Sequence, residues 1–376
     1  MVMIPINANV LRWAINEARI SPEVLTERCH FAPGTIDNWM AGVSAPNTGQ
    51  LRTISSRLGR SFQFFLLPEP PTTVAVDARF RGSRHENTPE PEKESAALRA
   101  ARRAQTLVRW VEDGSLTSPR ILPRDANEAA AAYAGRLGAH LQWALPEQKR
   151  ASSKSAVFKL LRKRAEDLGI VVMMQSAGKK SFRGFSLDKL PAVIFINKDY
   201  GGGALRSFTL LHELAHLGAG TAGRTCYYDD TDEERWCNKV ATEFLLPQEA
   251  FAKYVGDRHD GLVTANDTDI IRLASNYFKA SWLAIAIRLT EVGRADQNLI
   301  DHIRDNAILE KDPSTPVPGI DRTTPVLRSE EFGSAYIRTV QRAVRESRLS
   351  ELEASKLLRV NAKQLNSLWQ ASTEAR

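Results

Sequence analysis

The sequence predicts an α+β fold that is mostly helical, and two observations lead to this class. Apolar residues recur at helical spacing along much of the chain, beginning with Val10, Leu11, Ala14 and Ile15. Continuous apolar runs of strand length are confined to one stretch, and the strongest of them is 192–197. A helix, short strands and another helix, in that order, indicate a small sheet within a helical protein.

The composition is that of an ordinary soluble protein. The 376 residues are 43% hydrophobic and 25% charged, which favours two or three domains. Apolar runs stay short of the ~20 residues needed to cross a bilayer, and the first residues lack the pattern of a signal peptide. Cys29, Cys226 and Cys237 are too few for a disulfide framework, so a cytoplasmic location is predicted. The net charge of +7 permits a nucleic-acid partner without identifying one.

Proline-rich stretches divide the chain into three predicted parts. The predicted division is a helix-turn-helix domain at 1–67, a linker at 68–91, a central domain with leading helices at 92–312 and a core at 155–292, a linker at 313–325, and a C-terminal helical module at 326–376. The C-terminal module is consistent with a DNA-binding helix pair or with a docking module, and the sequence leaves both interpretations open.

The N-terminal domain is predicted to be a five-helix bundle that contains a helix-turn-helix. Ser21 and Pro22 suit the cap and first turn of the second helix. In a helix-turn-helix, the start of the second helix of the motif enters the major groove of DNA. The predicted DNA contacts are Thr35 and Asn38 on the exposed side of that helix, with Arg28 and Arg52 at phosphates.

A small helical bundle that binds protein would show the same pattern. Asp37 lies on the presumed DNA-facing side, and its carboxylate would repel phosphate. Because of the helix-turn-helix pattern, operator DNA is nevertheless the expected partner of residues 8–67, and protein binding is the alternative.

A helix predicted over 207–218 carries the sequence His212-Glu213-Leu-Ala-His216. Residues four apart on a helix share a face, so the two imidazoles can point at one position. That arrangement suits a zinc ion. The carboxylate of Glu213, beside the histidines, is suited to take a proton from zinc-bound water. The alternative is a buried helix with two ordinary histidines.

The ends of this helix are also predicted. Ser207 is expected to cap its start, and Gly218 and Gly220 are expected to end it. The chain has seven histidines and the other five are scattered singly, which favours a metal site over a chance pattern.

A second helix, from about 232 to 246, offers the third ligand that a catalytic zinc site needs. Glu233 and Glu234 both lie at the edge of its apolar side, so spacing alone does not choose between them. Glu243 is on the face opposite Glu234 and is expected to point to solvent. Cys237 could bind zinc but is interpreted as a small buried thiol.

These residues resemble the ImmA/IrrE family of zinc metallopeptidases. The resemblance rests on Phe-Thr-Leu-Leu-His-Glu-Leu-Ala-His at 208–216 and on Glu-Arg-Trp-Cys-Asn and Ala-Thr-Glu-Phe-Leu-Leu-Pro between 234 and 247. It covers about 155–290 and implies a zincin-like central domain with a short sheet. It also implies that the third ligand is the glutamate four positions before Asn238, which is Glu234.

Many members of the family place a helix-turn-helix of the phage-repressor (Xre) type ahead of the peptidase domain. Some cleave a partner repressor after a stress signal, and others accompany toxin–antitoxin pairs or mobile elements. The resemblance therefore implies a DNA-associated zinc metalloendopeptidase that cleaves a repressor or another regulatory protein.

The predicted centre contains one Zn²⁺ per chain. Its expected ligands are His212, His216 and Glu234, with Glu213 as general base and Asn238 as a hydrogen-bond partner of a ligand. The alternative is a repressor or antitoxin of a toxin–antitoxin or mobile-element module, with a zinc site that is not proteolytic. The expected partners are operator DNA and a protein substrate or cognate toxin, without a membrane, and a homodimer is left open.

Overall fold

A computed structural model describes residues 3–18, 20–71, 91–112, 121–179, 181–223, 231–305 and 323–374. Cys226 and most of both predicted linkers, 68–91 and 313–325, lie outside these residues. Within the described ranges the chain is mostly helical and has one small sheet, which confirms the predicted α+β class.

The helices in the described ranges are numbered in chain order. They are α1 (Ala8–Ala18), α2 (Pro22–Arg28), α3 (Thr35–Met40), α4 (Thr48–Arg57), a 3-10 helix (Phe62–Leu66), α5 (Pro91–Glu112), α6 (Ala130–His140), α7 (Leu145–Arg150), α8 (Lys154–Asp167), α9 (Gly203–Gly218), α10 (Asp232–Leu245), α11 (Gln248–Gly256), α12 (Thr268–Phe278), α13 (Trp282–Glu291), α14 (Gln297–Asp305), α15 (Thr324–Phe332), α16 (Ser334–Arg345), α17 (Glu351–Leu358) and α18 (Ala362–Glu374). The strands are β1 (Val171–Gln175), β2 (Gly184–Leu187) and β3 (Val193–Asn197).

The sheet has the order β1-β3-β2. β1 runs parallel to β3, with Val171 opposite Val193, and β2 runs antiparallel to β3, with Phe185 opposite Phe195. Nearly every strand residue is buried, as expected for a sheet that helices cover. β2 begins at Gly184.

Two compact units make up the chain. The first is Met1–Arg102 with Ser176–Phe182, and the second is Arg103–Gln175 with Arg183–Arg376. The predicted boundary puts 92–112 of α5 in the central domain, whereas 91–102 of this helix belong to the first unit.

Ion pairs explain why the start of α5 belongs to the first unit. Arg99 Nη1 on α5 lies 2.5 Å from Glu17 Oε2 on α1. Glu92 Oε2, in the first turn of α5, lies 2.6 Å from Arg28 Nη1 on α2. Glu17 and Glu92 are nearly inaccessible to solvent, and buried carboxylates of this kind are stable only when paired.

The first unit has its own apolar core, contributed by α1 to α4 and the 3-10 helix. Ser21 caps α2 as predicted, because its Oγ accepts from Val24 N at 3.2 Å. Asn47 and Gln50 form a capping box at the start of α4. The core side chains include Leu11, Ile15, Leu25, Ile36, Trp39, Leu51, Ile54, Leu58 and Phe65.

The second unit is built around the sheet, with α8 and α9 packed against it and α10 packed against α6 and α9. The pair α12 and α13, which has helix-turn-helix spacing in the sequence, contributes Ile271, Phe278, Ile285 and Leu289 to the same core. The two helices are therefore ordinary core of the second unit.

The C-terminal helices belong to the second unit, and α15 and α16 pack against β1. Gly333 joins these two helices with φ +79°. A Cβ at this position would lie 2.6 Å from Arg162 Nη2 and 2.8 Å from Val172 O. Ser334 Oγ donates to Glu166 Oε2 at 2.5 Å. The module is therefore anchored where only a glycine fits.

Among the described residues, none of the helices combines the length and the apolar character needed to cross a membrane.

Candidate metal centre

The helix α9 carries the two predicted histidine ligands and starts one turn earlier than the sequence suggested. Its N-cap is Gly202, so Ser207 lies inside the helix and its Oγ donates to Gly203 O at 3.0 Å. The prediction that Ser207 caps the helix is therefore wrong. A Cβ at Gly203 would collide with the backbone of Lys154 and Ser155, so this glycine allows α9 to approach α8.

Three side chains converge at one point. His212 Nε2 lies 3.0 Å from His216 Nε2. The two oxygens of Glu234 each lie 3.2 Å from one of these nitrogens. All three residues are buried, and within the described part of the chain they form a group whose ligand atoms all lie within 4.8 Å of one another.

The helix α10 brings Glu234 to the histidines. Thr231 caps this helix and its Oγ1 accepts from Glu234 N at 3.2 Å, which fixes the first turn. Glu234 is buried, whereas Glu233 is only half-buried. The structure thus brings Glu234 to the site rather than Glu233, the alternative that spacing had left open.

Glu243 is buried, and the expectation that it points to solvent is wrong. Its Oε1 lies 2.8 Å from Nη1 of Arg288, which is itself 1% exposed. The helical rotation does place Glu243 opposite Glu234, but Arg288 of α13 covers that face. The ion pair explains why the carboxylate can be buried.

Glu213 is fully buried on α9, next to His212. Gly184 of β2 lies against it: a Cβ there would be 3.2 Å from Glu213 Oε1 and 2.6 Å from Thr209 Cγ2. The glycine lets the strand pass close to the carboxylate. The sequence reasoning did not single out Gly184, although a lone glycine in an apolar strand is a signal of close approach.

The ligands influence one another electrostatically. Burial alone would lower the pKa of His216, but interactions with Cys237 and Glu234 outweigh it and raise the pKa to about 11. Burial would raise the pKa of Glu234, and hydrogen bonds from His212 and His216 instead lower it to about 2. The cluster therefore attracts positive charge, whether a proton or a metal cation.

Two other residues of α10, Cys237 and Asn238, are not among the three ligand residues. Cys237 is fully buried, as expected for a small core thiol, and burial raises the pKa of its thiol although interaction with His216 opposes that rise. Asn238 is exposed on α10. The Nδ1 atom of His216 instead has Thr221 Oγ1 at 2.8 Å. A role for Asn238 in supporting a ligand stays a prediction.

The residues present fit a tetrahedral zinc site. Zinc bonds of about 2.0–2.1 Å at tetrahedral angles place ligand atoms about 3.3–3.4 Å apart. The separations here are 3.0–3.2 Å, which small side-chain adjustments would accommodate. Two imidazoles and a carboxylate also form a donor set of catalytic zinc sites that leave a fourth position for water.

The predicted DNA contacts all lie in the first unit but have different surroundings. Asn38 on α3 and Arg52 on α4 are exposed. Thr35 is half-buried, and its Oγ1 donates to a backbone carbonyl 2.6 Å away. Arg28 is paired with Glu92, so part of its charge is already neutralised.

Residues 165–290 match the family model Peptidase_M78, described as the IrrE N-terminal-like domain. The match includes His212, Glu213, His216 and Glu234. It supports the resemblance to the ImmA/IrrE family and indicates a metallopeptidase-type domain in this part of the chain. Comparisons with curated proteins and with solved structures find no match.

Proposed function

We propose that this chain is a DNA-associated zinc metalloendopeptidase that cleaves a repressor or another regulatory protein. The observation that carries the proposal is the convergence of His212, His216 and Glu234, with 3.0–3.2 Å between ligand atoms, beside the buried Glu213. The family match over the same residues supports it.

His212, His216 and Glu234 would hold one Zn²⁺ per chain. Zinc bound there would supply a Lewis acid for a peptide carbonyl and would lower the pKa of water toward about 7. Glu213 would accept the proton of the attacking water and return it to the leaving amine. Because Glu213 is fully buried, bulk solvent does not compete for that proton.

The strand β2 offers a place for an extended peptide. Asn197 N donates to Arg183 O at 2.8 Å, and this bond sets which residues of β2 face β3. The polar backbone groups of Gly184 and Ser186 therefore face away from β3, and Ser186 O already accepts from Gly223 N at 2.7 Å. A substrate segment pairing with Gly184 would lie beside Glu213, which Gly184 approaches closely.

The first unit would provide the association with DNA. The short helices α2 and α3 follow each other as a helix-turn-helix requires, and Asn38 is exposed near the start of α3. Arg52 is exposed on α4 and could meet a phosphate. The net charge of +7 favours association with a polyanion.

One observation favours a second function, that of a repressor or antitoxin whose metal site is not proteolytic. His216 is 1% exposed and Glu213 is fully buried, so a substrate carbonyl must reach an enclosed centre. In that case the metal would stabilise the fold, and the protein would act by holding DNA or a toxin.

A Glu213→Gln substitution separates the two functions. The purified protein is incubated with zinc and with a proteome-derived peptide library, and new N-termini are identified by mass spectrometry. We expect zinc-dependent cleavage by the wild type and a loss of 10²-fold or more in Glu213→Gln, because general-base catalysis contributes about 10²–10⁴-fold. Bound zinc should be unchanged, since Glu213 is not a ligand.

Glu233→Gln is the matched control, because this half-buried glutamate lies outside the ligand cluster. It should cleave at the wild-type rate. Cleavage by Glu213→Gln at the wild-type rate would contradict the role of Glu213. Zinc binding without cleavage in the wild type, together with retained DNA or toxin binding in Glu213→Gln, would favour the second function.

A further inference from the structure

The chain turns back on itself at the end of α9 and returns to a ligand that the same helix carries. Thr221 N donates to His216 O at 3.0 Å, and Gly220 N donates to Leu217 O at 3.2 Å. Gly220 has φ +67°. These two bonds with a left-handed residue between helix and loop are the Schellman arrangement, which brings the residue after the glycine against the last turn.

The contact made by this turn is polar. Thr221 Oγ1 lies 2.8 Å from His216 Nδ1 and 3.4 Å from His216 O. If the hydroxyl donates to the carbonyl oxygen, its own oxygen accepts a proton from Nδ1–H. With the proton on Nδ1, the lone pair of the imidazole is on Nε2, the atom that lies 3.2 Å from Glu234 Oε1.

Other contacts fix the position of the turn. Gly223 N donates to Ser186 O of β2 at 2.7 Å, so the residues after Thr221 are attached to the sheet. Before the turn, Gly218 lies against α6 and the segment that precedes it, because a Cβ at Gly218 would collide with the hydroxyl of Tyr133 and would lie 2.7 Å from Leu122 O. Thr221 is therefore held between two anchored points.

We propose that Thr221 is a positioning residue that fixes the ring orientation and the tautomer of His216, so that Nε2 faces the metal. The inference rests on the proposed zinc centre and adds to it the residue that orients one ligand. Hydrogen-bond partners of this kind are worth about 10–100-fold in metal affinity in other sites. Thr221, rather than the exposed Asn238, would perform this function for His216.

The test measures zinc affinity rather than activity. Thr221→Val keeps the shape of the side chain and removes the hydroxyl, and zinc binding is measured by competition with a fluorescent chelator. We expect the dissociation constant to rise about 10–100-fold in Thr221→Val. Thr221→Ser, which restores the hydroxyl, should bind zinc like the wild type. Thr339→Val on α16 is the matched control, because the hydroxyl of Thr339 bonds only within its own helix in the described contacts, at 3.1 Å to Ala335 O.

A second readout reports on the hydrogen bond itself. In the zinc-loaded wild type, ¹H–¹⁵N NMR should show a slowly exchanging Nδ1–H of His216, and this signal should be lost through faster exchange in Thr221→Val. If Thr221→Val does not fold, Thr221→Ala is used, since it removes the hydroxyl without adding a branched apolar group.

The outcomes distinguish the role of Thr221 from the existence of the zinc centre. If the wild type and Thr339→Val bind zinc tightly and the Thr221 variants bind it equally well, the role of Thr221 is overturned while the metal centre stands. If the wild type does not bind zinc, the metal centre is overturned and the role of Thr221 with it.

Discussion

Gly184 sets how closely β2 and α9 approach beside Glu213. An alanine methyl group at this position would lie 2.6 Å from Thr209 Cγ2 and 3.0 Å from Phe195 O, the second of which is backbone. Phe195 O cannot move without shifting β3, and the Thr209 methyl can move only if its side chain rotates, which would break the bond from Thr209 Oγ1 to Leu205 O at 2.9 Å. The distance between the strand and the carboxylate of Glu213 therefore depends on the absence of a single side chain.

We expect Gly184→Ala to lower the free energy of unfolding by about 1–3 kcal/mol, the usual effect of overpacking a core. Chemical denaturation measures this directly. Gly256→Ala is the control, because Gly256 ends α11 and no atom lies within 4 Å of a Cβ there. That variant should be neutral or slightly stabilised. Equal stability of the two variants would contradict the close packing at Gly184.

Individual residues differ in how well the sequence reveals them. His212, Glu213 and His216 could be identified because their geometry depends only on the helix that contains them. Glu243 could not, because its burial depends on Arg288, which is 45 positions away and on another helix. The position of Thr221 depends on the turn at Gly220, and a glycine in the sequence indicates only where a helix ends.

At the scale of elements, helix starts with polar caps were easier to predict than those without. α2 begins at Ser21 and Pro22 as predicted, because cap and first turn are local. The start of α9 was misplaced, because Gly202 has no side chain to signal a cap. The grouping of the first half of α5 with the first unit depends on the partners of Glu92 and Arg99, which spacing within α5 cannot show.

The helix pair α2 and α3 gives the prediction at this scale. We expect Asn38→Ala with Arg52→Ala to weaken binding to DNA from the protein's own operon by at least ~10-fold, because a base contact is worth about 1–3 kcal/mol. Loss of the arginine should also reduce the salt dependence of binding by about one unit. Gel-shift titrations at several salt concentrations measure both effects.

Asn298→Ala with Arg272→Ala serves as the control for this experiment, because both are exposed residues of the second unit. It should bind DNA like the wild type. An unchanged affinity in the Asn38 and Arg52 double variant would count against α3 as the helix that contacts DNA.

At the scale of the whole molecule, the C-terminal helices are part of the second unit rather than an appendage. Glu331 of α15 is central to this attachment, with Lys198 Nζ at 2.9 Å and Arg359 Nη2 at 3.2 Å. Burial would raise the pKa of Glu331, but Lys198 and Arg328 outweigh it and hold the pKa below its usual 4.5. The sequence could not predict this attachment, since Lys198 and Glu331 are 133 positions apart.

Stability should depend on pH through this carboxylate. Because the pKa of Glu331 is lowered on folding, its stabilising contribution is present above pH 4.5 and is lost as the pH falls through the folded pKa. Glu331→Gln should reduce the free energy of unfolding at pH 7 by about 1–2 kcal/mol, a modest value because its partners are partly exposed. It should also flatten the decrease in stability below pH 4.5.

Urea unfolding between pH 3 and pH 7 provides the measurement. Glu346→Gln is the matched variant, because this exposed glutamate lies 3.9 Å from Arg342 and contributes little. If Glu331→Gln and the wild type lose stability in parallel as the solution is acidified, another group is responsible for the acid sensitivity.

The glycine between α15 and α16 has an evolutionary consequence. Gly333 combines a left-handed backbone with a position where any methyl group would meet a guanidinium, a carboxylate and a backbone carbonyl. Substitutions at exposed positions usually change stability little, but a mutation at codon 333 would have to be compensated at several sites at once. Among descendants that keep this docking, we expect position 333 to tolerate essentially no replacement while residues on either side drift.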